Sequence, residues 1–230
     1  MGLFSFLKKQ PDQPPPIANA ADSPYKNEAT NLIYNLLFCD DLTLYKANTK
    51  QPYSYAFDLL FSDKTTMAEL QKIAEDTGLE PRTRVLAYNK LLAHGQKTAK
   101  KELLAVIVEV GLDSGLDVLA SFKNGTARYI NQTGKMLIWE TVTDARSNAL
   151  TNDLFSKSQE IVNRIGPWDK PRRPHPGKGN TRITFLVSDG LTFGEGPTAM
   201  MFGDAMAGPA LTSAAQLMQY LTEKSLHAEH

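Results

Sequence analysis

The clearest pattern in the chain is a block of short apolar runs broken by turn residues, from Lys101 to Glu140. Leu103 to Val110 is apolar on both alternating faces, the mark of a central strand. Gly111 to Gly115, Asn124-Gly125 and Gln132 to Gly134 punctuate the stretch after it, so the pattern predicts a four-strand antiparallel meander. Asn124-Gly125 reads as a two-residue type I′ turn, which needs positive φ at both central positions. That register sets Phe122 opposite Ala127, Ala120 opposite Tyr129 and Leu119 opposite Ile130. Val118, Ala120, Phe122, Ala127 and Tyr129 then share one apolar surface. Met136 to Trp139 is too short for alternation to place. Thr181 to Ser188 alternates and is β-branched, and Asp189-Gly190 marks another tight reversal. Leu191 to Phe193 begins a return strand, which Gly194-Glu195-Gly196-Pro197 is expected to interrupt.

Helical spacing dominates the remainder. Leu32, Ile33, Leu36 and Leu37 predict a helix over Asn27 to Phe38. The aromatic run Pro52 to Phe61 reads as a short helix. Thr65 to Thr77 starts with capping threonines and Glu69, and Pro81 opens a helix that Gly95 ends. Thr143 or Asp144 caps a helix running to Ile165, closed by Gly166-Pro167. A last helix runs from Pro209 to about Lys224. The order of elements predicts an α+β fold: an antiparallel sheet of five to seven strands, helices packed on one face, and a helical N-terminal half. Residues 1–24 read as a loose start followed by a proline-rich tether, with Pro14-Pro15-Pro16 inside it. Residues 25–230 read as one domain, helical over 25–100 and sheet-containing over 101–230.

Composition narrows the function classes. The 230 residues carry 25 basic and 25 acidic side chains, which argues against a dedicated nucleic-acid binder. Cys39 stands alone, so no internal disulfide forms, and a reducing cytoplasm is expected. No apolar run reaches the ~20 residues of a membrane helix. Met1 to Gln10, MGLFSFLKKQ, resembles the starts of many small bacterial cytoplasmic proteins. The resemblance covers ten residues and implies no activity. At most, Met1 to Lys9 offers weak peripheral contact with a membrane.

Candidate chemistry concentrates in the loop Gly166 to Asn180. Its four prolines and three glycines bar a regular helix or a central strand, and four cations stand there against one carboxylate. Trp168 is a candidate apolar anchor, and Arg172, Arg173, His175 and Lys178 are candidate donors to an anion. The bland reading of the same loop is a solvated connection. Glu195, between glycines, reads as an exposed acid or a turn residue. Asp40-Asp41 reads as a cap, since adjacent side chains diverge. Asp113 and Asp117, with Glu109 upstream, offer oxygens to a hard cation, but turn chemistry also explains them. Cys39 with His94 or His175 is a nucleophile pair on paper, against a buried structural thiol. No HExxH, G-x-S-x-G, Walker loop or dinucleotide fingerprint occurs, so neither a metal nor a cofactor is expected. These absences point to a bacterial cytoplasmic binding or adaptor protein of regulatory or immunity type, with another protein as partner. The alternative is a hydrolase or transferase acting on an anionic small molecule at 166–180, using His175 with Glu195 or Asp189.

Overall fold

The computed structural model describes residues 22–96, 98 and 100–228. Local chemistry sets the first half. The Asn27 side chain accepts the N–H groups of Ala29 and Thr30 and opens α1 (Glu28–Leu36). Asp41 caps α2 (Leu42–Ala47) through the Leu44 N–H. The run Pro52 to Phe61 yields only one helical turn, α3 (Phe57–Leu60), because Ala56 takes φ +75° and breaks the helix before it. A reciprocal Thr66–Glu69 capping box starts α4 (Met67–Glu75), and Pro81 occupies the first turn of α5 (Pro81–Ala93).

The second half lays down β1 (Leu103–Leu112), β2 (Gly115–Phe122), β3 (Ala127–Ile130) and β4 (Met136–Trp139). Then come α6 (Ala145–Val162), β5 (Asn180–Val187), β6 (Gly190–Pro197), α7 (Thr198–Gly203) and α8 (Ala207–Ala228). One six-stranded sheet runs β4-β3-β2-β1-β5-β6, antiparallel at every pairing. The α+β class, the antiparallel sheet and the helical N-terminal half stand as the pattern predicts.

The structure corrects the sequence reading in three places. The hairpin at Asn124-Gly125 is one residue longer than expected. Gly125 N–H donates to Phe122 O at 2.9 Å, Phe122 N–H donates to Thr126 O at 2.9 Å, and Gly125 has φ +88°. That is a three-residue loop ending in a left-handed glycine, the bulged alternative to type I′. Ser121 therefore faces Ala127, Ala120 faces Arg128 and Leu119 faces Tyr129. A one-residue slip exchanges faces. Ala127 and Tyr129 join Leu119 on one side, away from Val118, Ala120 and Phe122 on the other. Second, Gly194 to Pro197 continues β6 to its end instead of interrupting it, with Glu195 paired to Arg182. The Met201 side chain packs over the two glycines, 3.5–3.7 Å from where their Cβ atoms would stand, which is ordinary contact distance. Third, helical cover extends beyond one face. α1 to α5 pack on the Ile107–Val118 side, while α6 and α8 pack on the Val106–Phe185 side. The described residues begin at Asp22. The Asp22 N–H donates to Asn35 Oδ1 at 3.1 Å. The remainder of the expected tether lies outside the described residues.

Candidate functional site

The 166–180 loop is a strap laid across the sheet, and buried polar side chains hold it there. Arg182 on β5 is 2% exposed. Its guanidinium donates to the carbonyls of Arg173 and Pro174 and to Glu195 Oε2 at 2.8–2.9 Å. Beside it, Glu109 on β1 is fully buried. Glu109 Oε1 accepts the Tyr34 hydroxyl at 2.7 Å, while among the described residues Oε2 has no hydrogen bond and lies 3.6 Å from Arg182. Burial raises the Glu109 carboxyl pKa above its ordinary value, although Arg182 and the Tyr34 bond oppose that shift. At the strap's far end the backbones meet directly. A Cβ on Gly111 would stand 2.2 Å from Gly177 O, and Gly179 N–H donates to Gly111 O at 2.8 Å.

The structure does not gather the predicted anion donors into one open cradle. Arg172 is folded inward: its Nε lies 2.7 Å from Asp40 Oδ2, its Nη2 2.9 Å from Asn35 Oδ1, and its guanidinium carbon 4.0 Å from the Phe38 ring centroid. Arg173 lies 3.5 Å from Glu195. His175 donates its backbone N–H to Asp22, and its Nδ1 lies 2.9 Å from an Asp22 carboxylate oxygen. Lys178 pairs with Asp113 at 3.1 Å in open solvent. Asp40-Asp41 thus divides its work, Asp41 as a cap and Asp40 as the Arg172 partner. Asp117 accepts the Gln132 N–H and the Tyr129 hydroxyl. Cys39 is buried with its sulfur 3.3 Å from the Tyr45 hydroxyl, and burial pushes its thiol pKa up to about 12. Neither His94 nor His175 is its partner. Among the described residues no group of three His, Cys, Asp or Glu side chains is placed to hold a metal ion.

One opening borders the strap and another lies beside β6. The larger, about 630 Å³, lies between α5, the strap and the β5–β6 turn, and Phe38, Leu92, Trp168 and Asp189 are among its walls. The second is a groove of about 430 Å³ beside β6, lined by Ile161, Ile165, Phe185, Met201 and Met206. Next to it Met200 is 71% exposed and Phe202 41%. β6 is an edge strand. Val187 pairs with Gly190 across a two-residue turn, so the backbone groups of Leu191, Phe193 and Glu195 point outward. The Trp168 backbone N–H donates to the Leu191 carbonyl at 2.7 Å. Among the described residues nothing bonds the outward backbone groups of Phe193 and Glu195.

Sequence reasoning missed Arg182, Glu109, Asp22 and Asp40 as the strap's anchors, and Met200, Met201 and Phe202 as surface features. A usable signal for the first two was a lone charge inside an otherwise apolar strand, which demands a buried partner. Compared with protein families, curated proteins and solved structures, the chain matches none. No helix among the described residues is long and apolar enough to cross a membrane.

Proposed function

We propose that the chain is a cytoplasmic, non-enzymatic binding protein that takes an extended segment of a partner protein along the free edge of β6. The observation that carries this reading is the unpaired backbone of Phe193 and Glu195 beside an apolar groove. An open sheet edge is a template for an added strand, and natural proteins usually blunt one with lysine, proline or a covering loop. Here, among the described residues, the strap bonds the edge backbone only at Leu191, and proline appears only at the last position of β6. The Met200, Met201 and Met206 side chains supply an adaptable apolar wall for alternate side chains of the added strand. A single, fully buried thiol suits a reducing compartment. What weighs against an anionic-substrate enzyme is that Arg172, Arg173, His175 and Lys178 each face a carboxylate of the same chain.

The test is a partner recovered with the full chain from native extract. Its binding should protect the Phe193 and Glu195 amides from hydrogen exchange and should be lost in the double variant Met200→Lys with Phe202→Lys. A partner that leaves those two amides exchanging as in the free chain would refute the reading. Under the anionic-substrate alternative, phosphate or nucleotides would raise the melting temperature, and Arg172→Ala with Arg173→Ala would abolish the shift. Under the edge reading no such shift occurs.

A further inference from the structure

The larger opening has chemistry of its own, independent of the β6 edge. Its floor is apolar, from Phe38 and Leu92, and its rim carries Trp168, Asp169, Lys170 and Asp189. Its volume of about 630 Å³ lies in the range of small-ligand sites. The Trp168 ring is fixed from two sides. Its Nε1 donates to Pro171 O at 3.0 Å, and its edge packs on Phe193 with centroids 5.1 Å apart. The Lys170 ammonium stands over this ring, 5.7 Å from its centroid. The exposed aromatic face is therefore already occupied by a cation, supplied by the chain itself.

The charges around the opening favour the same sign of ligand. Arg172 also lines it but is spent on Asp40 and Asn35. Asp169 forms no ion pair among the described residues. Among the described residues Asp189 has only Lys101 within ion-pair distance, at 3.9 Å, and that ammonium donates to the carbonyls of Val162 and Ile165 at 3.3 and 2.9 Å. An incoming cation would find a rigid aromatic face and two carboxylates whose neutralisation is incomplete. Among the described residues an incoming anion would find no uncommitted cationic side chain in the lining except Lys170.

We propose that this cavity binds an organic ammonium group on an aliphatic body, with Lys170 as the internal occupant that the ligand displaces. The Trp168 face and Asp169 hold the charge, Asp189 adds to the field, and Phe38 and Leu92 take the aliphatic part. The ligand charge is opposite to the one that the basic composition of the strap suggests.

Trp168 fluorescence reads the test, in the full chain carrying Trp139→Phe. The Trp139 indole N–H is buried without a partner, so that replacement removes an unbonded donor. The probes are choline, Nα-acetyl-lysine methylamide and the neutral choline analogue 3,3-dimethylbutan-1-ol. At least one ammonium probe should change the emission saturably, and the neutral alcohol should bind about tenfold more weakly or less. Response to choline alone assigns a free small molecule, and response to the lysine derivative alone assigns the side chain of a partner. Asp169→Asn, at an exposed site that leaves the fold intact, should weaken binding. Lys170→Ala should tighten it several-fold, because it removes the competing occupant. The proposal is overturned if neither ammonium probe binds, if the neutral alcohol binds as well as choline, or if Lys170→Ala weakens binding. Preferential binding of inorganic phosphate would overturn it equally.

Discussion

Both faces of the sheet are buried, and they are differently built. On one, Val106, Val108, Ile183 and Phe185 meet α6 and α8 in an apolar contact. On the other, the same two strands present Ile107, Glu109, Arg182 and Thr184 beneath α1 and the strap. Phe185 and Glu109 are both fully enclosed. Apolar burial is non-directional and roughly proportional to area, so the first face fixes helices without fixing a loop. Buried hydrogen bonds have direction. Through them Arg182 holds two strap carbonyls and Glu195 at once, setting the strap over β5 and beside the β6 edge. A buried ion pair is weak evidence for net stability, yet breaking one strands a charge. The polar face therefore gives position more than it gives stability.

The largest expected effect tests that division. Arg182→Ala leaves Glu109 buried without its cation and releases the carbonyls of Arg173 and Pro174. It should destabilise by about 3–5 kcal/mol in chemical denaturation. The Trp168 and His175 amides should lose exchange protection at the same time. Adding Glu109→Gln removes the stranded charge and should recover part of the stability, but not the strap protection. On the apolar face, Leu154→Ala should destabilise by a comparable ~2–5 kcal/mol through its cavity and leave the local protection of Trp168 unchanged relative to global stability. If both variants free the strap alike, the two faces do the same job.

This contrast also explains what the sequence made legible. Helix starts were readable because a cap is a local event, as Asn27, Thr66 and Asp144 show. The strands of the meander were readable from their turns. Its register was not, because the choice between a two-residue and a three-residue loop at Asn124-Gly125 decides which face each side chain takes. The strap was recognisable as special from its prolines and charges. Its geometry was hidden because most of its anchors are distant in sequence: Asp22 for His175, Asp40 for Arg172 and Glu195 for Arg173. Counting four cations in the loop offered a candidate anion site beside the bland reading of a solvated connection, whereas the carboxylate partners of Arg172, Arg173 and Lys178 were invisible without the fold.

A smaller effect depends on pH. Burial holds the Glu109 carboxyl above its ordinary pKa of 4.5, so between that value and its folded pKa the native state binds more protons than the unfolded chain. Stability from this group is complete below 4.5 and is lost as pH rises through the folded pKa. Carboxylates such as Glu102, held low by hydrogen bonds from Arg84 and Lys123, run in the opposite direction and lose stability in acid. The comparison must therefore be made by difference. The melting temperature of Glu109→Gln minus that of wild type should increase as pH is raised from about 4 toward neutrality. A difference that stays flat would mean that the buried carboxyl titrates as it does in water.

The smallest effect sharpens the comparison within the strap itself. Lys178 and Arg172 carry the same charge on one loop, and each lies within ion-pair distance of an aspartate. The Lys178 and Asp113 side chains are 72% and 80% exposed, where solvent screens the attraction and both chains lose rotamer freedom to meet. The Arg172 side chain is 8% exposed, with a second acceptor and an aromatic ring against it. Lys178→Ala should change stability by less than about 0.5 kcal/mol. Arg172→Ala should destabilise several times more, because it uncovers Phe38, leaves Asp40 without its cation and removes one of the two donors to Asn35 Oδ1. Equal effects would mean that enclosure does not decide which strap charges matter, and the polar face would lose its role as the part that places the loop. A large gap, by contrast, would show that two side chains identical in formal charge and each beside a carboxylate differ because only one has been taken out of water.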